Sequence, residues 1–227
     1  MRTSAVRFFV LPAFAALAVA SSLVAQDKPS SRLSAPEVTQ LISRAQPADH
    51  ARLGAHFAAL ADEQAADAKR HTSMQQAYAG STKIVAVSMT SHCKQIASRS
   101  LESAATLREV SAYHSKLAGS AAGALASAAR LEARSPADSE LARLAANAET
   151  AADHRTLESY FASLATRYDR EAADHAAYAK TWRGLTKVTA SAGQATAHDK
   201  VAAQLRESAK EARTAASMHK DQASTAK

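Results

Sequence analysis

Seven of the nine histidines in this chain, together with its lone cysteine, fall in pairs 21 residues apart: His50/His71, Cys93/His114, His154/His175 and His198/His219. Twenty-one residues is three heptads, so in a supercoiled helix both members of a pair face the same side. His56 and His92 lie outside the series. A strand has period two and would scatter such a series over both faces, so the spacing asks for long helices with one inward row.

Two heptad rows fix which face is inside. The first row of one helix reads His50, Phe57, Gln64, His71, Tyr78, and its companion row begins Leu53, Leu60. A later helix repeats this as His154, Phe161, Tyr168, His175, Trp182, with Leu157 and Leu164. The two intervening rows read Cys93, Ser100, Leu107, His114 and His198, Leu205, Ala212, His219. Because the histidines share rows with the large apolar residues, they are expected in the core.

Asp49-His50, Leu53, Phe57, Leu60-Ala61, Ala68 and His71 recur 104 residues later as Asp153-His154, Leu157, Phe161, Leu164-Ala165, Ala172 and His175. Residues 102–118 recur more loosely at 207–223, an offset that sets Cys93 opposite His198. Breakers at Gly80-Ser81-Thr82, Ser135-Pro136 and Gly184…Gly193 divide the rest. The expected fold is all-α: an antiparallel up-down four-helix bundle built from a duplicated αα-hairpin, with hairpins over 47–134 and 136–227. Its long helices are expected at 47–79, 86–134, 136–183 and 194–226. Ser34-Ala35-Pro36-Glu37 should start a short helix inside a 26–46 linker.

Residues 1–25 read as a signal peptide. Arg2 and Arg7 precede an apolar run from Phe8 to about Ala20, and small-residue cleavage candidates follow. That run is short for a membrane span and no second one follows, which predicts a secreted or periplasmic protein without a membrane-spanning segment. Losing the signal removes two arginines and no acid. The remaining 26 basic and 21 acidic residues (28 − 2 against 21) are interleaved rather than gathered into a stripe. That argues against nucleic acid as a partner. One cysteine makes no internal disulfide, so Cys93 is a buried filler, an intermolecular bridge or a ligand.

Folding each hairpin at its turn brings side chains level in two layers: His71, Cys93, His175 and His198 in one, His50, His114, His154 and His219 in the other. Four donors from four helices suit a transition-metal ion, copper or zinc, the thiol layer favouring Cu(I) or Zn. Asp67 and Glu171, four residues before His71 and His175, could fix the imidazoles from outside or stand as solvated acid–base pairs flanking the core. Bis-histidine haem b would use only two of the four donors. No Glu-x-x-His, Cys-x-x-Cys-His, His-Glu-x-x-His or phosphate loop is present. The expectation is a non-enzymatic metal holder whose partners are metal ions; a buried, pH-responsive histidine network that only specifies packing is the alternative.

Overall fold

The computed structural model describes residues 32–81, 84–119, 136–185 and 191–226, and over these the protein is all-helical. The expected signal peptide (1–25), residues 26–31 of the linker, and the Thr82 and Ser135 turn residues lie outside the described residues. Two short helices, α1 (Ala35–Arg44) and α4 (Pro136–Asn147), accompany four long ones. The long helices are α2 (Pro47–Ala79), α3 (Ile84–Leu117), α5 (Ala151–Gly184) and α6 (Ser191–Thr225). None is long and apolar enough to cross a membrane among the described residues.

Capping explains where the long helices begin. At α5 the Thr150 hydroxyl accepts from the Asp153 amide, and the Asp153 carboxylate accepts from the Thr150 amide at 3.1 Å. These bonds satisfy amides that the first turn leaves without helical partners. At α2 the Asp49 carboxylate accepts from the Gln46 amide and from Arg44. Gln46 and Thr150 are 104 residues apart, so the duplication extends to the caps. The single helix expected over 136–183 is therefore two, α4 and α5, because the Thr150 cap halts one and starts the next. The short helices also correspond, making the repeated unit a short helix followed by a hairpin.

Helices α2 and α3 pack antiparallel, as do α5 and α6: His50 meets His114, and His175 meets His198. Gly54 permits the first approach. A Cβ there would lie 3.0 Å from the Ser115 hydroxyl, and Ser111 donates to the Gly54 carbonyl at 2.8 Å.

The direction of the second hairpin differs from expectation. Gln64 donates to Glu171 at 3.1 Å, Tyr168 donates to Asp67 at 3.1 Å, and Tyr160 lies against His71. Rising numbers on α2 meet falling numbers on α5, so these two helices are antiparallel. An up-down-up-down order would make them parallel. Instead of a tight turn leading straight into one long helix, α4 stands between α3 and α5.

The seam between α2 and α5 has an internal two-fold. Gln64 and Tyr168 correspond across the repeat, as do Asp67 and Glu171, so the Gln64–Glu171 and Tyr168–Asp67 contacts are equivalent under exchange of the halves. The core around it is dominated by Phe57, Phe161, Tyr168 and Trp182, each almost fully buried. Helix α1 contributes Val38, Leu41 and Ile42 to that core. Thr150→Ala should lower the unfolding free energy by about 1 kcal/mol in urea denaturation, while Thr150→Ser should leave it nearly unchanged.

Candidate metal centre

All eight residues of the series are buried, none more than 7% exposed. Six of them meet as three pairs, not as the two quartets expected. His50 Nδ1 lies 2.9 Å from His114 Nδ1, His154 Nδ1 3.1 Å from His219 Nδ1, and His175 Nδ1 3.0 Å from His198 Nδ1. The pairings within each hairpin follow the turn geometry read from the sequence. Those between hairpins do not, because α5 runs opposite to α2.

Phe57 stacks on His114 and contacts His175 and His198, with centroids 5.6, 6.3 and 5.1 Å away. One end thus gathers His50, His114, His175 and His198. Phe161, the counterpart of Phe57, contacts His71 and His219 at 6.0 and 5.8 Å. Burial raises the Tyr78 and Tyr160 hydroxyls and the nearby Cys93 adds to it, which sets the thiol at that same end. The other end thus gathers His154, His219, His71 and Cys93. Among the described residues, no three His, Cys, Asp or Glu side chains converge as a metal-binding group.

The ring nitrogens follow a pattern. Tyr160 meets His71 Nε2 at 3.3 Å, and Tyr78 meets His219 Nε2 at 2.9 Å. His71 Nδ1, His114 Nε2 and His198 Nε2 are buried and have no hydrogen-bond partner. Each of these three rings is therefore held through one nitrogen while the other stays bare. In each histidine pair one Nδ1–H donates and the other Nδ1 accepts. If His114 and His198 are the donors, their unpartnered Nε2 atoms carry lone pairs. That assignment avoids burying an unsatisfied N–H, the costlier alternative.

Burial dominates the electrostatics. Desolvation pushes His71 and His219 down to about 4, His114 and His175 to about 3, and His198 well below its usual value. All are held neutral at physiological pH, the form in which an imidazole can ligate a metal. Desolvation raises the Cys93 thiol to about 12, so a cation at Cys93 would have to displace its proton.

Asp67 and Glu171 do not reach the imidazoles as expected. Asp67 accepts from Arg70, Arg167 and Tyr168; Glu171 accepts from Arg32 and Gln64. Both belong to the polar seam between α2 and α5. Tyr78 and Tyr160 take the outer role instead. Tyr160 is legible in the repeat, since it is the counterpart of His56, one of the two histidines outside the series. No protein-family model, curated protein or solved structure matches this chain.

The lowered histidine values set a pH dependence. Between about pH 4 and 6.5 the unfolded chain binds protons that the folded chain refuses. Stability is therefore full above about pH 7 and is lost as pH falls through 6.5 toward 4. Each such histidine contributes a slope of up to about 1.4 kcal/mol per pH unit. Urea midpoints measured from pH 8 to pH 5 should fall steeply below pH 6.5; a flat profile would mean these rings already titrate normally in the native state.

Proposed function

We propose that this protein is an exported four-helix bundle that holds transition-metal ions, copper or zinc, for storage, buffering or resistance in the periplasm, without catalysis. Three buried imidazoles carry this reading, His71, His114 and His198, each with one nitrogen hydrogen-bonded and the other bare. Metal-ligating histidines are held in this way, with the outer nitrogen bonded so that tautomer and ring direction are set before the ion arrives.

The donor sets differ between the two ends. At the His50 end, His114 and His198 would bind through Nε2, with His50 and His175 accepting their Nδ1 protons. At the His154 end, His71 Nδ1 and the Cys93 thiolate would bind, with Tyr160 holding His71 and Tyr78 holding the neighbouring His219. Two donors per site, with a soft thiolate among them at the His154 end, match Cu(I), which accepts two-coordinate binding more readily than Zn(II) with its preferred four ligands. The ion itself would supply only charge and coordination, and the surrounding aromatic rings would exclude water. The apolar N-terminal run with its two arginines supports export.

A second reading has its own support. Three histidine pairs are hydrogen-bonded at 2.9–3.1 Å with nothing between them, as in a polar network that fixes helix register. Thermal melting separates the two. After EDTA treatment, Cu(I) at 100 times its dissociation constant should add about 2.7 kcal/mol per site. His114→Ala should remove one equivalent of bound copper and leave the Cys93 end loaded. If no metal raises the melting temperature, and His114→Ala destabilises equally with and without copper, the register network is the function.

A further inference from the structure

The two ends are built from corresponding residues, yet the charges beside their buried rings differ. At the His50 end a cavity of about 30 Å³ lies against His175, walled by Glu171, Asp174, Tyr178, His56 and Arg32. That volume holds one or two water molecules. Tyr178 packs on both His175 and His198, with centroids 5.4 and 5.5 Å away, so the cavity ends at that pair.

His56 is 2% exposed and lines this cavity. Its Nδ1 accepts from the Leu33 amide at 3.0 Å, which requires the proton to sit on Nε2. That Nε2–H is buried and unpartnered. A buried donor of this kind calls for an acceptor in the cavity, and a water oxygen fits both the volume and the chemistry. With two carboxylates opposite, such a water is placed to belong to the hydration shell of a cation. Arg32 lies across the opening, bonded to Glu63 and, at 3.0 Å, to Glu171. Its side chain is 40% exposed, whereas that of Glu171 is 7% exposed.

At the other end the same positions carry opposite chemistry. Asp174 corresponds to Arg70, Tyr178 to Met74, and His56 to Tyr160. Arg70 pairs with Asp67 at 2.7 Å and with Asp138 of α4. A guanidinium therefore stands where the first end has a carboxylate, held by two acids beside the buried His71. It would repel an approaching cation and fills the approach with an ion pair.

Resting on the metal-holding function, we infer that the cavity behind Arg32 is a cation port serving the His175–His198 pair. Glu171 and Asp174 are its attracting walls, His56 orients the accompanying water, and Arg32 is the latch, while Arg70 shuts the equivalent route to His71 and Cys93. The ligand class is a small, partly hydrated transition-metal cation. The two ends should then exchange metal at different rates although their donors are equally buried.

Cu(I) removal by bicinchoninate from the full mature chain tests this, read site by site from the imidazole NMR signals of His198 and His71. Arg32→Gln, a change at an exposed latch, should speed loss at His198 at least threefold and leave His71 unchanged. Asp174→Arg, which copies the other end, should slow loss at His198 tenfold or more. In the metal-free protein, hydrogen–deuterium exchange at the imidazole carbon should be faster at His175 than at His71. Copper release at one rate in all three proteins, with equal exchange at His175 and His71, overturns the port while the metal function stands. Failure of copper to bind at either end overturns the metal function, and the port with it.

Discussion

The register of α2 against α5 decides what every other buried polar group can meet. It is held by a seam in which Gln64 bonds Glu171 and Tyr168 bonds Asp67, with Arg167 and Arg70 completing the Asp67 carboxylate. Buried carboxylates left without such partners would cost several kcal/mol each, so the seam admits only a register that pairs them. Sliding α5 by one heptad would separate these partners. It would also move Phe57 and Phe161 away from the histidines they cover. The two-fold relation between the halves follows from the same contacts, because an isologous interface joins each residue to the partner of its own counterpart.

Around this seam the histidines are arranged by what remains for each nitrogen. A buried neutral imidazole brings one donor and one acceptor, and an apolar core offers few groups to meet them. Pairing through Nδ1 solves half of that requirement three times over. Tyrosine hydroxyls meet further nitrogens on His71 and His219. What is left over is bare and buried on His71, His114 and His198, and aromatic rings line the space around it. A core that only needed packing could have used leucine at these positions without any desolvation penalty.

The halves have drifted apart within a shared frame. His198 in one corresponds to Cys93 in the other, Trp182 to Tyr78, His56 to Tyr160 and Asp174 to Arg70. The first three differences change the donors and the groups that orient them; the last changes the sign of the charge guarding the approach. Differences of this kind are visible because the helical frame stayed constant while side chains facing the interior changed. The two ends therefore differ in the softness of their buried side chains and in the charge beside them.

By itself the sequence determined that the chain is helical, that the eight-residue series lies inside, and that the first and third long helical patterns are copies. Periodicity carries those facts, since a three-heptad spacing shared with Phe57, Leu53 and their repeats points one way only. It also determined which histidines pair within a hairpin, because a short turn equates heights on either side. Tertiary structure alone decided how the hairpins face one another. That direction shows in the side-chain partners along α2 and α5, which no heptad row specifies. From this came the regrouping of His175 and His198 with His50 and His114. The assignment of Asp67 and Glu171 to the seam followed as well, since a carboxylate's partner depends on which helix lies opposite. The helix break at Thr150 was written in the sequence as the counterpart of Gln46, but it is read only once the duplication is extended beyond the histidines to the caps.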